Sequence, residues 1–146
     1  MFCRFPLMNR AKVMHHFSSE VGRDLRKPSD RINRTFGNRY KVTQIANDIT
    51  SLQTVYKYIY ANPIKAGIVE NCLEYKYSTL PRKLGFFPLD INVVNDPFIQ
   101  ENNIQQHLNW INDVPCDDYW KRTAYQLNRH KFQMPKDRTT RENIIF

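Results

Sequence analysis

A tyrosine and an asparagine one helical turn apart are the residues of this 146-residue sequence whose types and spacing suit chemistry. Tyr58 and Asn62 lie in the stretch DITSLQTVYKYIYANPIKAGIV, residues 48–69, and side chains four residues apart share one side of a helix. This spacing allows the Tyr58 hydroxyl to lie beside the amide of Asn62. A phenol with a pKa of about 10 is a poor nucleophile, so a neighbouring metal or base would have to activate it.

The residues around this pair predict the helix that carries it, over 48–62. Its apolar face is formed by residues at i, i+3, i+4 and i+7, namely Leu52, Val55, Tyr56 and Ile59. Tyr58 lies roughly 60° or more away from that face, so the core does not require it. Ser51 or Thr50 is the predicted N-cap, and the residue before Pro63 ends the helix because proline disfavours the α region there. Pro63 then opens a second short helix, which Gly67 closes.

Histidine, aspartate and cysteine, the other residues with metal or nucleophile chemistry, do not form a clear site. His15 and His16 are adjacent, so their side chains diverge by about 100° on a helix and point to opposite faces of a strand. We interpret them as helix-surface residues. Asp117 or Asp118 is interpreted as a helix cap rather than as half of a metal pair. The cysteines are odd in number and scattered, which predicts incidental thiols: Cys3, Cys72 and Cys116.

The net charge of +8 is placed unevenly along the chain. Residues 1–41 hold ten Lys/Arg against three Asp/Glu, a surplus of seven, and the remainder holds twelve against eleven. Such a block indicates a surface that binds a polyanion, with a solvated basic face as the alternative. No apolar run approaches the roughly 20 residues of a membrane span, and the N-terminus lacks the pattern of a signal peptide. We therefore expect an intracellular, cytoplasmic protein without a membrane partner.

The segment PSDRINRTFGNRY, residues 28–40, is the best nucleic-acid signature in the chain. Its arginines, which suit phosphate oxygens, are interleaved with Phe36 and Tyr40, whose rings can stack on unpaired bases. The arginines are Arg31, Arg34 and Arg39. The alternative is a connector whose aromatic rings pack inward.

Periodicity predicts the remaining elements. A helix is expected over 8–26, a strand of about five residues over 40–45, and helices over 101–112 and from 117 to about 130. Residues 70–90 are predicted as a loop from which Tyr75, Tyr77 and Leu80 pack back on the tyrosine helix. Trp110 and Trp120 are predicted to be core residues, and the basic tail, 133–146, is expected to be loose.

Two blocks of this chain resemble a known family. The stretch YIYANPIKAGIV, followed by YKYSTL at 75–80, is similar to the tyrosine helix of the single-tyrosine HUH transposases, of the insertion-sequence-200-like and REP-associated groups. The resemblance covers about residues 8–84. It implies cleavage and rejoining of single-stranded or hairpin DNA in a mobile element, and the family often works as dimers, so a homodimer is expected.

The resemblance implies roles for particular residues. Tyr58 would be the nucleophile that forms a 5′-phosphotyrosine link, and Asn62 would help to hold Mg²⁺ or Mn²⁺, which stabilises charge on the phosphate. The DNA would be contacted by basic residues along the chain: Arg10, Lys12, Arg31, Arg34, Arg39, Lys41 and Lys65.

The chain departs from the family in one large feature. The family has a His-hydrophobic-His pair on a strand before the tyrosine helix, and no such pair occurs here. We expect the chain to begin after that strand, and the strand at 40–45 to lack its ladder partners. The predicted fold is mostly α with one or two short strands, a truncated remnant of a ferredoxin-like α/β HUH domain plus C-terminal helices. The predicted division is a partial transposase domain, 1–84, and a helical extension, 85–146.

Three functions are consistent with these residues. The first is a DNA-binding transposase-family protein that is catalytically impaired because two metal ligands are missing. The second is a non-catalytic nucleic-acid-binding remnant of the same ancestry, in which Tyr58 is structural or stacks on a base. The third is a helical protein-interaction module. The first two predict an affinity for DNA that falls steeply with salt, and the third predicts none.

Overall fold

A computed structural model of the chain describes residues 9–27, 41–88 and 103–134. The helices of this part are α1 (Arg10–Arg26), α2 (Ile49–Lys65), α3 (Thr79–Lys83), α4 (Ile104–Asn112) and α5 (Asp117–Leu127). Its strands are β1 (Gln44–Ile45) and β2 (Lys131–Phe132). The prediction of a mostly helical chain with one or two short strands is confirmed.

The chain divides into two compact units, Met1–Val42 and Thr43–Phe146. The boundary that the sequence predicted, between 84 and 85, falls inside the second unit. Within that unit α2 packs against both α4 and α5, so the tyrosine helix shares its core with the predicted C-terminal extension.

In the first unit the structure describes one helix, α1, and confirms the helix predicted over 8–26. Two ion pairs lie in its C-terminal half, between Arg23 and Glu20 and between Lys27 and Asp24. The apolar stripe that predicted this helix is partly exposed to solvent, since Phe17 is 47% exposed and Leu25 is 50% exposed.

The second unit is built around α2, which is buried on two sides. One core cluster joins α2 to the 70–84 segment and α4 through the buried residues Tyr56, Ala61, Cys72, Leu80, Leu108 and Ile111. The other cluster packs Val55 of α2 against Phe132 and Met134, with Tyr119 and Leu127 beside them. A helix covered on two sides positions its side chains firmly, which matters for the candidate site that it carries.

The start of α2 differs from its prediction. The N-cap is Asp48, whose carboxylate accepts a hydrogen bond from the Ser51 N–H at 2.8 Å, and not Ser51 or Thr50. Ser51 is fully buried, and its hydroxyl accepts from the Met134 N–H at 3.0 Å. A competing tertiary bond therefore takes the hydroxyl that the local pattern assigned to capping.

The predicted end of α2 at Asn62-Pro63 was also wrong, because the helix continues through Pro63 to Lys65. Proline removes one intrahelical donor, and Pro63 is itself buried in the packed unit. The predicted second short helix is therefore part of α2, and Gly67, which was predicted to close that second helix, closes α2 with φ of 67°. The N–H groups of Gly67 and Ile68 donate to the carbonyls of Ile64 and Pro63, each at 2.9 Å, which is the Schellman arrangement.

Strand β1 has a partner that the sequence did not indicate. It pairs in parallel with β2, in the register Gln44↔Lys131 and Ile45↔Phe132. The expectation that this strand would lack a ladder partner was therefore wrong, because the chain supplies one 87 residues further on. The ladder continues through the N–H of Ala46, which donates to the carbonyl of Phe132 at 2.9 Å.

Helices α3 and α5 differ in detail from their predictions. The predicted loop over 70–90 contains the short helix α3, capped by the Ser78 hydroxyl, which accepts from the Leu80 N–H. The N-cap of α5 is Cys116, not Asp117 or Asp118, and both aspartates lie in its first turn. Carboxylates there interact favourably with the helix dipole without capping it. The predicted helix to about residue 130 ends at Leu127.

Candidate functional site

Tyr58 lies at the contact between α2 and α5. Its ring stacks on the indole of Trp120, with centroids 4.6 Å apart and planes 27° apart, and the tyrosine is half-buried. Trp120 in turn packs against the first core cluster. One face of the Tyr58 ring is therefore held by the core while part of the residue stays accessible to solvent.

The other residues on this side of α2 are Asn62 and Lys65. Asn62 is exposed one turn after Tyr58, so the predicted spacing holds in the structure. The Lys65 ammonium group donates a hydrogen bond to the Asp117 carboxylate and forms an ion pair with it. This bond and the charge of Lys65 lower the pKa of Asp117 below its usual value. Lys65 was predicted as a DNA contact, and the structure gives it a carboxylate partner.

A second tyrosine of α2 has the histidine neighbour that a tyrosine nucleophile would need. The Nε2 atom of His107 lies 3.4 Å from the Tyr56 hydroxyl, and the two rings meet edge-on at 5.5 Å. Tyr56 is only 4% exposed, which makes it a core residue rather than an accessible nucleophile. The sequence did not indicate this pair, because 51 residues separate its members and no local pattern links them.

A buried lysine of α2 lies against an aromatic ring of α4. Lys57 is 9% exposed, and its ammonium nitrogen lies 5.3 Å from the centroid of the Trp110 ring. Burial lowers the pKa of Lys57, and the negative charge of Asp113 opposes that change. Trp110 and Trp120 are both packed against the core, as predicted.

The predicted basic contacts fall into three groups. Arg10, Lys12 and Lys41 are exposed and belong to the first unit. Lys65 belongs to the second unit. Arg31, Arg34 and Arg39 lie outside the described residues.

Nothing in the described ranges resembles a preformed metal site. Within residues 9–27, 41–88 and 103–134, no three His, Cys, Asp or Glu side chains are grouped so that they could hold a metal ion. His15 and His16 are exposed on α1, as the spacing predicted for surface residues. The resemblance would make Asn62 a metal ligand, and no cluster of His, Cys, Asp or Glu among the described residues is grouped to complete such a site.

Of the residues predicted to pack from the 70–90 segment onto the tyrosine helix, Leu80 does so and Tyr77 does not. Leu80 is buried beneath α2, as expected. Tyr77 is 74% exposed and does not pack back on the tyrosine helix. It immediately precedes Ser78, the N-cap of α3.

Comparison with known proteins gives no relative: the chain matches no family model, no curated protein and no solved structure. In the described part of the chain, no helix has both the length and the apolar character needed to cross a bilayer.

Proposed function

We propose that this chain is a nucleic-acid-binding protein of single-tyrosine HUH transposase ancestry, which binds single-stranded DNA but does not cleave it unaided. The single observation that carries the proposal is where the charge lies. The compact unit Met1–Val42 holds ten Lys/Arg against three Asp/Glu, and Thr43–Phe146 holds twelve against eleven. A surplus of seven in so short a segment favours phosphate binding.

The surroundings of Tyr58 favour binding over catalysis. A phenol needs a base or metal to attack a phosphodiester. Among the described histidines, His107 lies at hydrogen-bond distance from a tyrosine of α2, and that tyrosine is the buried Tyr56 and not Tyr58. The sequence also lacks the His-hydrophobic-His pair of the family. Loss of one component of a site that acts as a unit removes most of its rate.

One incubation, analysed on two gels, tests this proposal. The protein is mixed at low salt with a labelled single-stranded hairpin oligonucleotide and Mn²⁺, with Tyr58→Phe as the matched variant. We expect both proteins to shift the oligonucleotide on a native gel and neither to leave an adduct on a denaturing gel. A denaturant-resistant adduct that Tyr58→Phe loses would show an active transposase. No shift by either protein would overturn nucleic-acid binding.

A second candidate, a helical protein-interaction module, is favoured by the apolar side chains that α1 exposes. Val13, Phe17 and Leu25 are between 40% and 50% exposed, and they lie on a helix that also carries charged residues. This function predicts no salt-dependent affinity for the oligonucleotide, so the same native gel distinguishes it.

A further inference from the structure

A second basic and aromatic surface lies on the segment around α3. We call it the 75–88 surface, and its members are Lys76, Tyr77, Arg82, Lys83 and Phe86. Two of its aromatic rings face solvent, since Tyr77 is 74% exposed and Phe86 is 60% exposed. A single exposed ring is ordinary on a folded surface, but two of them on one short, basic segment form a candidate interaction surface.

Hydrogen bonds hold the backbone on both sides of α3. The guanidinium of Arg82 donates to the carbonyl of Lys76 at 3.0 Å through Nε and to the carbonyl of Pro88 through a terminal nitrogen. One side chain therefore bridges the two flanks of α3, which brings the stretches that carry Tyr77 and Phe86 within its reach. The Phe86 N–H also donates to the Pro81 carbonyl at 2.9 Å, and Pro81 is buried. The surface is anchored rather than formed by an isolated loop.

The charge of this segment complements phosphate. Residues 75–88 contain Lys76, Arg82 and Lys83 and no Asp or Glu. The ammonium nitrogen of Lys76 lies 5.2 Å from the centroid of the Tyr77 ring. A nucleotide carries its phosphate next to its base. A neighbouring cation and exposed ring can therefore bind both, the cation pairing with the phosphate and the ring stacking on the base.

We propose that the 75–88 surface binds unpaired bases of single-stranded DNA, with a base stacked on Tyr77, a further base on Phe86, and Lys76 beside the intervening phosphate. Arg82 is a positioning residue that holds the two flanks together. The inference rests on the proposed function and deepens it, because it assigns the binding of unpaired bases to the 75–88 surface. In a duplex both faces of a base are covered by its neighbours, so only an unpaired base can stack on a protein ring.

Equilibrium binding of a fluorescent oligothymidylate, compared with a hairpin-free duplex of equal length, tests this inference. The variants are Tyr77→Ala, Phe86→Ala and Tyr77→Phe. The matched control is Tyr125→Ala, whose ring is 61% exposed on α5 and also lies beside a cation, Arg129. All four replace exposed side chains, and thermal unfolding checks that each variant folds.

Each alanine variant of the surface should lose about 5-fold to 100-fold in affinity for the single strand, because one stacked base is lost. Tyr77→Phe and Tyr125→Ala should bind the single strand as the unchanged protein does, and no variant should alter duplex binding. If the unchanged protein binds and Tyr77→Ala binds equally well, or if Tyr125→Ala loses as much, this inference is overturned while the proposed function stands. If the unchanged protein does not bind DNA at low salt, both are overturned.

Discussion

Two tyrosines of α2, only two residues apart, have opposite surroundings. The Tyr56 hydroxyl lies beside His107 but is enclosed by the core, at 4% exposure. Tyr58 is half-buried against Trp120 and stays accessible. The reactive partner and the access that a nucleophile requires therefore belong to different residues. This separation is the reason that we favour DNA binding over strand cleavage.

The buried thiol of Cys72 gives a test of the core at the scale of one residue. Cys72 is 1% exposed, and burial raises its pKa from 9.0 to about 11. Because the thiolate is the nucleophile, this change lowers the reactive fraction at pH 8 about a hundredfold. We expect iodoacetamide at pH 8 to label the exposed Cys116 and to leave Cys72 unlabelled, as measured by peptide mass spectrometry. Labelling of Cys72 at the same rate in native and urea-unfolded protein would contradict its burial.

The buried ammonium of Lys57 predicts a pH dependence of stability. Burial lowers the pKa of Lys57 in the folded state below its ordinary value of 10.5. Between the folded-state pKa and 10.5, the unfolded chain therefore binds more protons than the folded chain. The free energy of unfolding then rises with pH across that window because of Lys57. The raised pKa of Cys72 lowers the free energy of unfolding as the pH rises above 9.0. The contribution of Lys57 is therefore isolated by comparing the unchanged protein with a variant that lacks this lysine.

We expect the difference in stability between the unchanged protein and Lys57→Met to shift in favour of the unchanged protein as the pH rises towards 10.5. Urea denaturation at several pH values measures this difference, in which the contribution of Cys72 cancels. A difference that stays constant from neutral pH to pH 10.5 would contradict a buried Lys57.

At the scale of elements, Phe132 joins strand β2 to α2 through the core. Phe132 is fully buried between Val55 of α2 and Met134. Truncating a buried phenylalanine removes its burial and leaves a cavity, so Phe132→Ala should lower the free energy of unfolding by about 3–5 kcal/mol. Phe86→Ala makes the same change at 60% exposure and should alter it by no more than about 0.5 kcal/mol. Similar urea midpoints for the two variants would contradict the position of β2.

Local patterns predicted the helices well but not how they end or what they pack against. The three- and four-residue spacing of apolar side chains found α1, α2 and α4 within a few residues. It failed at Pro63, because burial in the core offsets the local preference against proline. The capping preference of hydroxyl residues assigned the N-cap to Ser51 or Thr50, although the Ser51 hydroxyl binds the distant Met134 N–H.

Contacts between distant parts of the chain could not be predicted from these patterns. Residues 44 and 131 pair across the sheet, and Tyr56 meets His107 across 51 residues. For the candidate site, the sequence predicted the spacing of Tyr58 and Asn62 from helical geometry. It could not predict that Trp120 covers the Tyr58 ring or that Asp117 pairs with Lys65.

For the whole molecule, the charge distribution predicts which surface binds DNA. Arg10→Glu with Lys12→Glu changes the basic unit Met1–Val42, and Lys121→Glu with Arg122→Glu makes the same charge change on α5. All four side chains are exposed. We expect the first pair to weaken binding of a single-stranded oligonucleotide at least about tenfold more than the second, because local phosphate contacts exceed the effect of net charge. Fluorescence anisotropy measures both, and equal losses would mean that only net charge matters.

The most direct test of the central proposal is the affinity for a single-stranded oligonucleotide as the salt concentration is raised from 50 to 200 mM. Each phosphate that a cation neutralises contributes about −0.7 to the slope of log affinity against log salt. Even three such contacts would therefore weaken binding about 20-fold over this range. We predict a linear dependence with at least this slope. An affinity that does not change with salt, or no binding at 50 mM, would contradict a nucleic-acid-binding function.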